Sequence, residues 1–107
     1  MNTHLVINRL GTEYGIAVRM KLFAADEVSG WSSWFAVPGE NYVELSSTGP
    51  YPLREVEWAE LNPFVVEIRG RLIMPLMLNR EQQVLEIFET EKIRFERIGV
   101  VFRVYLT

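Results

Sequence analysis

The chain has 107 residues, of which 49% are hydrophobic and 23% charged, and this profile excludes an intrinsically disordered protein. Its length gives room for one domain, which we expect to span residues 1–107. The absence of cysteine excludes disulfide bonds, thiolate nucleophiles and sulfur-ligated metals, and the net charge of −3 argues against a nucleic-acid partner.

The first five residues lack the basic start and the apolar run of a secretory signal. The longest apolar stretch covers residues 72–78, and Pro75 interrupts it well short of a membrane span. We therefore expect a cytoplasmic protein that does not bind membranes.

Alternation of apolar and polar side chains with a period of two predicts β-strands through the first half of the chain. Residues 14–22 form the clearest predicted strand, with Arg19 and Lys21 on its polar face. Shorter strands are predicted at residues 5–8, 31–37, 42–46 and 53–61.

Two segments rich in proline, glycine and serine separate these strands. Residues 38–41 predict a hairpin turn, because proline presets one turn dihedral and glycine accepts a positive φ. Residues 46–52 predict an exposed loop.

Two further strands are predicted in the second half of the chain. Residues 64–74 would place their apolar side chains inward, with a bulge at Gly70. These inward side chains are Phe64, Val66, Ile68, Leu72 and Met74. Residues 100–106 alternate in the same way, with Val100 and Phe102 on the inward face, and predict a strand inside a sheet rather than a loose terminus.

The segment between these two strands fits either a helix or a hairpin. Asn79 followed by Gln82 resembles a helix N-terminus with a capping box, and Val84 and Phe88 would then share a helical face. The density of isoleucine and phenylalanine, with a plausible turn at residues 89–92, favours a β-hairpin instead. The complete pattern predicts a mainly β protein of about eight strands, an antiparallel β-sandwich or small β-barrel with at most one short helix.

No catalytic, cofactor or metal-binding constellation is evident. His4 is the only histidine, no serine nucleophile motif or glycine-rich phosphate loop occurs, and no metal-ligand spacing is found. Glu55 and Glu57 would share a strand face at a separation that glycosidases use, but such pairs arise easily among fourteen acids. We therefore expect no enzymatic activity, no cofactor and no metal.

Charge is distributed unevenly along the chain. Residues 22–68 contain eight acids and a single base, whereas both flanks carry an excess of bases, so the ends could contact the middle electrostatically. The acidic middle also holds all three tryptophans, and Trp31 and Trp34 would point to opposite sides of a strand. Aromatic rings among carboxylates favour a cationic protein partner. The predicted partner-binding residues are Trp34, Glu40, Tyr42, Glu44, Glu55, Glu57 and Glu60.

These features predict a non-enzymatic protein-interaction module that binds a basic protein, for example an immunity protein that neutralises a cationic toxin. Two alternatives remain open. The aromatic residues could instead line a pocket for a carbohydrate or another small ligand. An exposed strand edge could make the chain a structural subunit of a larger assembly, including a homo-oligomer.

Overall fold

A computed structural model describes residues 3–46 and 48–106. The described helices are α1 (Thr3–Tyr14) and α2 (Glu81–Thr90), and a short 3₁₀ turn spans Leu53–Glu55. The strands are β1 (Ala17–Leu22), β2 (Phe35–Ala36), β3 (Tyr42–Leu45), β4 (Thr48–Pro52), β5 (Val56–Asn62), β6 (Phe64–Glu67), β7 (Leu76–Asn79), β8 (Glu96–Ile98) and β9 (Val101–Tyr105).

The strands form three antiparallel sheets. The largest has the order β1-β5-β9-β8, the second has the order β2-β3-β4, and β6 and β7 pair as a separate hairpin. The prediction of a mainly β protein is confirmed. Within the described ranges the nine strands do not close into a barrel, and two long helices replace the single short one that we expected.

Helix α1 occupies the residues where a short strand was predicted at 5–8, so that prediction is wrong. Its buried side chains are His4, Val6, Ile7 and Leu10. Their separations of three and four residues follow the helical period rather than the strand period. The helix ends at Tyr14, and the next residue, Gly15, has a φ of 69°, which suits a residue without a β-carbon. Strand β1 then begins at Ala17.

Helix α2 contradicts the hairpin favoured for residues 84–98. Its buried residues Val84, Ile87 and Phe88 lie at separations of three and four, and the Asn79 side chain accepts a hydrogen bond from the Glu81 amide at 2.9 Å. The predicted turn at residues 89–92 is the end of this helix. Lys92 has a φ of 56°, its amide donates to the Glu89 carbonyl and the Ile93 amide donates to the Phe88 carbonyl, which together form a Schellman motif.

Both helices bury one face in the same core as the two larger sheets. The side chains with little or no exposure in this core include Ile7, Leu10, Ile16, Val18, Leu45, Leu61, Phe88, Phe102 and Val104. Phe102 packs edge-on against Phe88 and Phe95, with ring centroids 5.9 and 5.4 Å away. The aromatic cluster joins α2 to β9.

The second sheet and β9 agree with the shorter predictions in part. The turn at residues 38–41 does connect two paired strands, although the positive φ falls on Asn41 and not on Gly39. Within the segment predicted as a loop at 46–52, residues 48–52 form strand β4 instead, and residue 47 lies outside the described residues. Strand β9 lies between β5 and β8, as predicted, but Val100 is exposed because it sits in the tight turn with Gly99, whose φ is 60°.

The predicted strand at residues 64–74 is divided between β6 and a turn segment, and its apolar side chains are not buried. Leu72 is 98% exposed and Met74 is 82% exposed, and Val66 and Ile68 are exposed as well. The pattern of alternation identifies a strand but does not establish that another element covers its apolar face. We call residues 64–79 the arm.

The buried His4 leads to a pH prediction, because burial lowers the pKa of its imidazole below the usual 6.5. Below pH 6.5 the imidazole is therefore protonated more fully in the unfolded chain than in the folded chain. The free energy of unfolding should fall as the pH drops through 6.5, with a slope no steeper than about 1.4 kcal/mol per pH unit. Urea unfolding at a series of pH values around neutrality would measure the slope. In His4→Leu this component should disappear, and an unchanged pH profile in that variant would contradict the assignment.

Candidate functional site

The outer face of the four-stranded sheet carries a row of opposite charges. Strand register places Arg19, Glu60, Arg103 and Glu96 side by side across β1, β5, β9 and β8. Arg19 Nε and Nη2 both lie 2.8 Å from Glu60 Oε1. Arg103 Nε and Nη2 lie 2.9 and 2.8 Å from Oε2. Glu60, with 1% of its side chain exposed, is held between two guanidinium groups.

Two tryptophans border the ion-pair triad of Arg19, Glu60 and Arg103. The Arg19 guanidinium lies 4.4 Å from the ring centroid of Trp31, and that of Arg103 lies 4.0 Å from Trp58. Burial acts to lower the pKa of Arg103, but the hydrogen bond and negative charge of Glu60 outweigh it and raise the pKa overall. Arg103 therefore stays charged, and the Glu60 carboxylate already has its positive partners within the chain.

Glu57 is also paired within the chain. Its carboxylate lies 2.7 Å from the ammonium of Lys21, at a point where the β1–β5 register shifts. Bases from the two flanks thus neutralise acids of the middle, as the charge distribution suggested. The predicted common strand face of Glu55 and Glu57 is not formed, because Glu55 ends the 3₁₀ turn and β5 begins one residue later.

Three other predicted residues, Trp34, Tyr42 and Glu44, lie on or beside the second sheet and point away from the core. Tyr42 and Glu44 alternate with the buried Val43 and Leu45 on β3, so both point away from the core. Trp34 precedes the buried Phe35, which pairs with Leu45, and is itself 42% exposed. Trp31 is exposed to a similar extent, so both tryptophans reach solvent, and Trp58 is the buried one.

The remaining predicted residues, Glu40 and Glu55, lie at one end of the molecule. The Leu53 amide donates to the Asn41 carbonyl at 2.7 Å, and the Phe23 amide donates to the Glu55 carbonyl at 3.0 Å. These bonds bring together the β2–β3 turn, the 3₁₀ turn and the loop that follows β1. Each of these three segments carries exposed acids. We call the four acids the acidic end: Asp26, Glu27, Glu40 and Glu55.

The acidic end is not neutralised internally. Across residues 3–46 and 48–106, none of its four carboxylates has a base within salt-bridge distance, and Arg54 is the single base nearby in sequence. Beside it lies a hollow of about 400 Å³. Its lining is Leu22, Phe23, Ala24, Ala25, Tyr51, Arg54 and Glu55. The arrangement places an excess of negative charge beside a mainly apolar depression.

Phe23 is a member of this site that sequence analysis did not identify. It is 58% exposed although it directly follows an apolar strand position. The sequence feature that could have identified it is its position shortly before Asp26 and Glu27, since a large apolar residue that shares a loop with two acids is not expected to be buried.

A second, larger groove of about 710 Å³ has basic and aromatic walls that include Lys92, Arg94, Phe95 and Tyr105. It contains none of the predicted binding residues. Among the side chains that the structure describes, no group of three or more His, Asp or Glu residues is placed to hold a metal ion.

A family model described as "Family of unknown function (DUF6678)" matches residues 6–106, and the chain belongs to that family. No curated protein and no solved structure matches it. Neither described helix has the length and apolar character needed to cross a membrane.

Proposed function

Because the family description carries no activity, we propose a function from the geometry alone: a non-enzymatic protein-interaction module whose acidic end binds a basic protein. The observation that carries the proposal is the set of exposed, unpaired carboxylates of the acidic end beside an apolar hollow. Glu57 and Glu60 no longer belong to the proposed contact surface, because Lys21, Arg19 and Arg103 already neutralise them.

Because Glu57 and Glu60 are paired with bases on the sheet, the acidic end carries most of the unpaired negative charge of the acidic middle. Carboxylates in ion pairs contribute little field at a distance, so the negative potential that approaching molecules meet is concentrated where no base is near. Such a field speeds encounter with a cationic surface and disfavours anionic ones. The apolar hollow and the exposed Tyr42 would then supply contact area. Trp34 is left out of this surface, because it lies beside Ser32, which pairs with Val18 towards the other end of β1.

A cationic toxin that this chain neutralises in the cytoplasm is the partner class that fits best. A protein that blocks such a toxin must bind fast, and complementary charge is the physical means of raising an association rate. The proposal needs no catalytic group, cofactor or metal.

Reversing charge at the acidic end tests the proposal. Glu40→Lys with Glu55→Lys should reduce recovery of a basic partner in a pull-down from native lysate at least tenfold at low salt. The melting temperature should barely change, because both side chains are exposed and unpaired. Glu86→Lys with Glu89→Lys is the matched control, since it changes net charge equally on the exposed side of α2. If both variants kept the partner, or both lost it, the acidic end would not be the binding surface.

A small-ligand function is the second candidate, and the hollow lined by Phe23 and Tyr51 is the observation that favours it. Its volume of about 400 Å³ lies within the usual range for small-molecule sites. A ligand that stacks on these rings, such as a carbohydrate, should raise the melting temperature of the native chain but not that of a Phe23→Ala variant.

A further inference from the structure

The arm is the most exposed apolar part of the described chain. Seven of its large side chains are exposed: Val66, Ile68, Leu72, Ile73, Met74, Leu76 and Met77. Only its base is anchored, through Val65, which packs on the core, and through a 2.8 Å hydrogen bond from the Arg80 amide to the Pro63 carbonyl. The rest of the hairpin extends away from the core.

Such a surface is unusual for a protein without a partner. At roughly 100 Å² for each fully exposed aliphatic side chain, the arm exposes apolar area on the order of 500 Å². That is near the upper limit for the largest patch on a typical monomer, about 600 Å². A lone two-stranded hairpin is also only marginally stable in water. Both facts indicate that another surface covers the arm.

The charges of the arm identify a complementary surface. Arg69 and Arg71 lie near its tip, are exposed, and have no acid within salt-bridge distance among the residues that the structure describes. The tip therefore joins two free cations to the exposed Leu72 and Met74. The acidic end presents the converse, four unpaired carboxylates against the single base Arg54, beside a mainly apolar hollow that Glu55 and Arg54 help to line.

These two surfaces lie at opposite ends of β5 in one molecule. Val56, at its start, pairs with Leu22 beside the acidic end, whereas Asn62, at its finish, is followed within two residues by the arm. The seven residues of β5 span about 20 Å. The arm therefore begins at the end of β5 that is remote from the acidic end of its own chain.

We propose that the arm of one copy docks on the acidic end of a second copy, with Leu72 or Met74 entering the hollow and Arg69 and Arg71 facing its carboxylates. An antiparallel pair related by a two-fold axis satisfies both arms and both acidic ends at once, and such closed dimers are the commonest oligomers. The inference rests on the proposed function, because it assigns the acidic end a particular cationic surface, the Arg69 and Arg71 tip of the arm on another copy of this chain.

The mass of the full chain in solution tests this pairing. Sedimentation equilibrium from micromolar to near-millimolar concentration should show a monomer–dimer equilibrium that weakens as salt rises. Arg69→Glu with Arg71→Glu should raise the dimer dissociation constant at least tenfold, as should Glu40→Lys with Glu55→Lys. Combining the four substitutions should restore the dimer, because the charges are then exchanged rather than removed.

Apolar docking has its own variant and control. Leu72→Ser with Met74→Ser should also weaken the dimer at least tenfold, and because both side chains are exposed the fold should persist. Leu5→Ser with Val100→Ser alters exposed apolar residues elsewhere and should leave the dimer unchanged. Circular dichroism confirms that each variant is folded.

A strict monomer, a dimer indifferent to these substitutions, or failure of the four-fold exchange to restore association would overturn the inference. Those results would leave the proposed function standing if the pull-down still showed a basic partner that requires Glu40 and Glu55 but not Arg69 and Arg71. The dimer could instead behave as expected while the basic partner in the pull-down no longer depended on the acidic end. That result would overturn the proposed binding of a foreign protein and leave the dimer standing.

Discussion

Glu60→Ala is expected to destabilise the fold by about 3 kcal/mol or more, because removing one member of a buried ion-pair network leaves its partners uncompensated. The Glu60 carboxylate accepts hydrogen bonds from Arg19 and Arg103 and is almost inaccessible to water. Without it, two guanidinium groups that are only a quarter to a third exposed would face each other across β5. Urea unfolding at neutral pH measures the difference.

Glu57→Ala is the matched control for that variant. Glu57 lies on the same strand and is also paired, but a third of its side chain is exposed, as is nearly a quarter of Lys21. A partly solvated pair of this kind is worth less than about 1 kcal/mol. Equal destabilisation by the two variants would show that burial does not distinguish these carboxylates.

Removing β9 by ending the chain at residue 98 is expected to abolish cooperative folding. The strand pairs with β5 on one side and with β8 on the other, and it supplies the fully buried Phe102 and Val104. The loss would exceed the 5–15 kcal/mol that typically separates folded from unfolded states. Circular dichroism and one-dimensional NMR of the truncated chain would show whether a fold persists.

A point substitution gives the same prediction a graded form. Phe102→Ala should lower the free energy of unfolding by about 3–5 kcal/mol, because it opens a cavity between Phe88 and Phe95. Val100→Ala in the adjacent turn should have little effect, since Val100 is 58% exposed. A small effect of Phe102→Ala, or a large one at Val100, would mean that the packing described for β9 is wrong.

Sequence reasoning located the elements in which period and burial agree. Strands β1 and β9 each have one face in the core, so alternation marks them directly, and the interior position of β9 follows from its density of apolar residues. Helix α1 was not predicted, and a helix at α2 was the less favoured of two alternatives. In α2 the buried face at Val84, Ile87 and Phe88 consists of β-branched and aromatic residues, whose strand preference outweighed their helical spacing.

The candidate site was predictable in charge but not in pairing. The excess of acids in the middle of the chain and of bases at its ends indicated that the ends could contact the middle electrostatically. Which acid is neutralised depends on register, since it is the alignment of β1, β5 and β9 that sets Glu60 between Arg19 and Arg103. Register over such separations is a tertiary property, so Glu57 and Glu60 could not be distinguished from Glu40 and Glu55 in advance.

The strand order β1-β5-β9-β8 also bears on how the chain is made. Arg19 precedes Glu60 by 41 residues, and Arg103 follows it by 43. During synthesis from the N-terminus, β5 can pair with β1 while its other edge, and one side of the Glu60 carboxylate, stay open until β9 leaves the ribosome. The nascent protein therefore carries an exposed strand edge from the emergence of β5 until the emergence of β9, and unpaired edges of this kind are templates for aggregation.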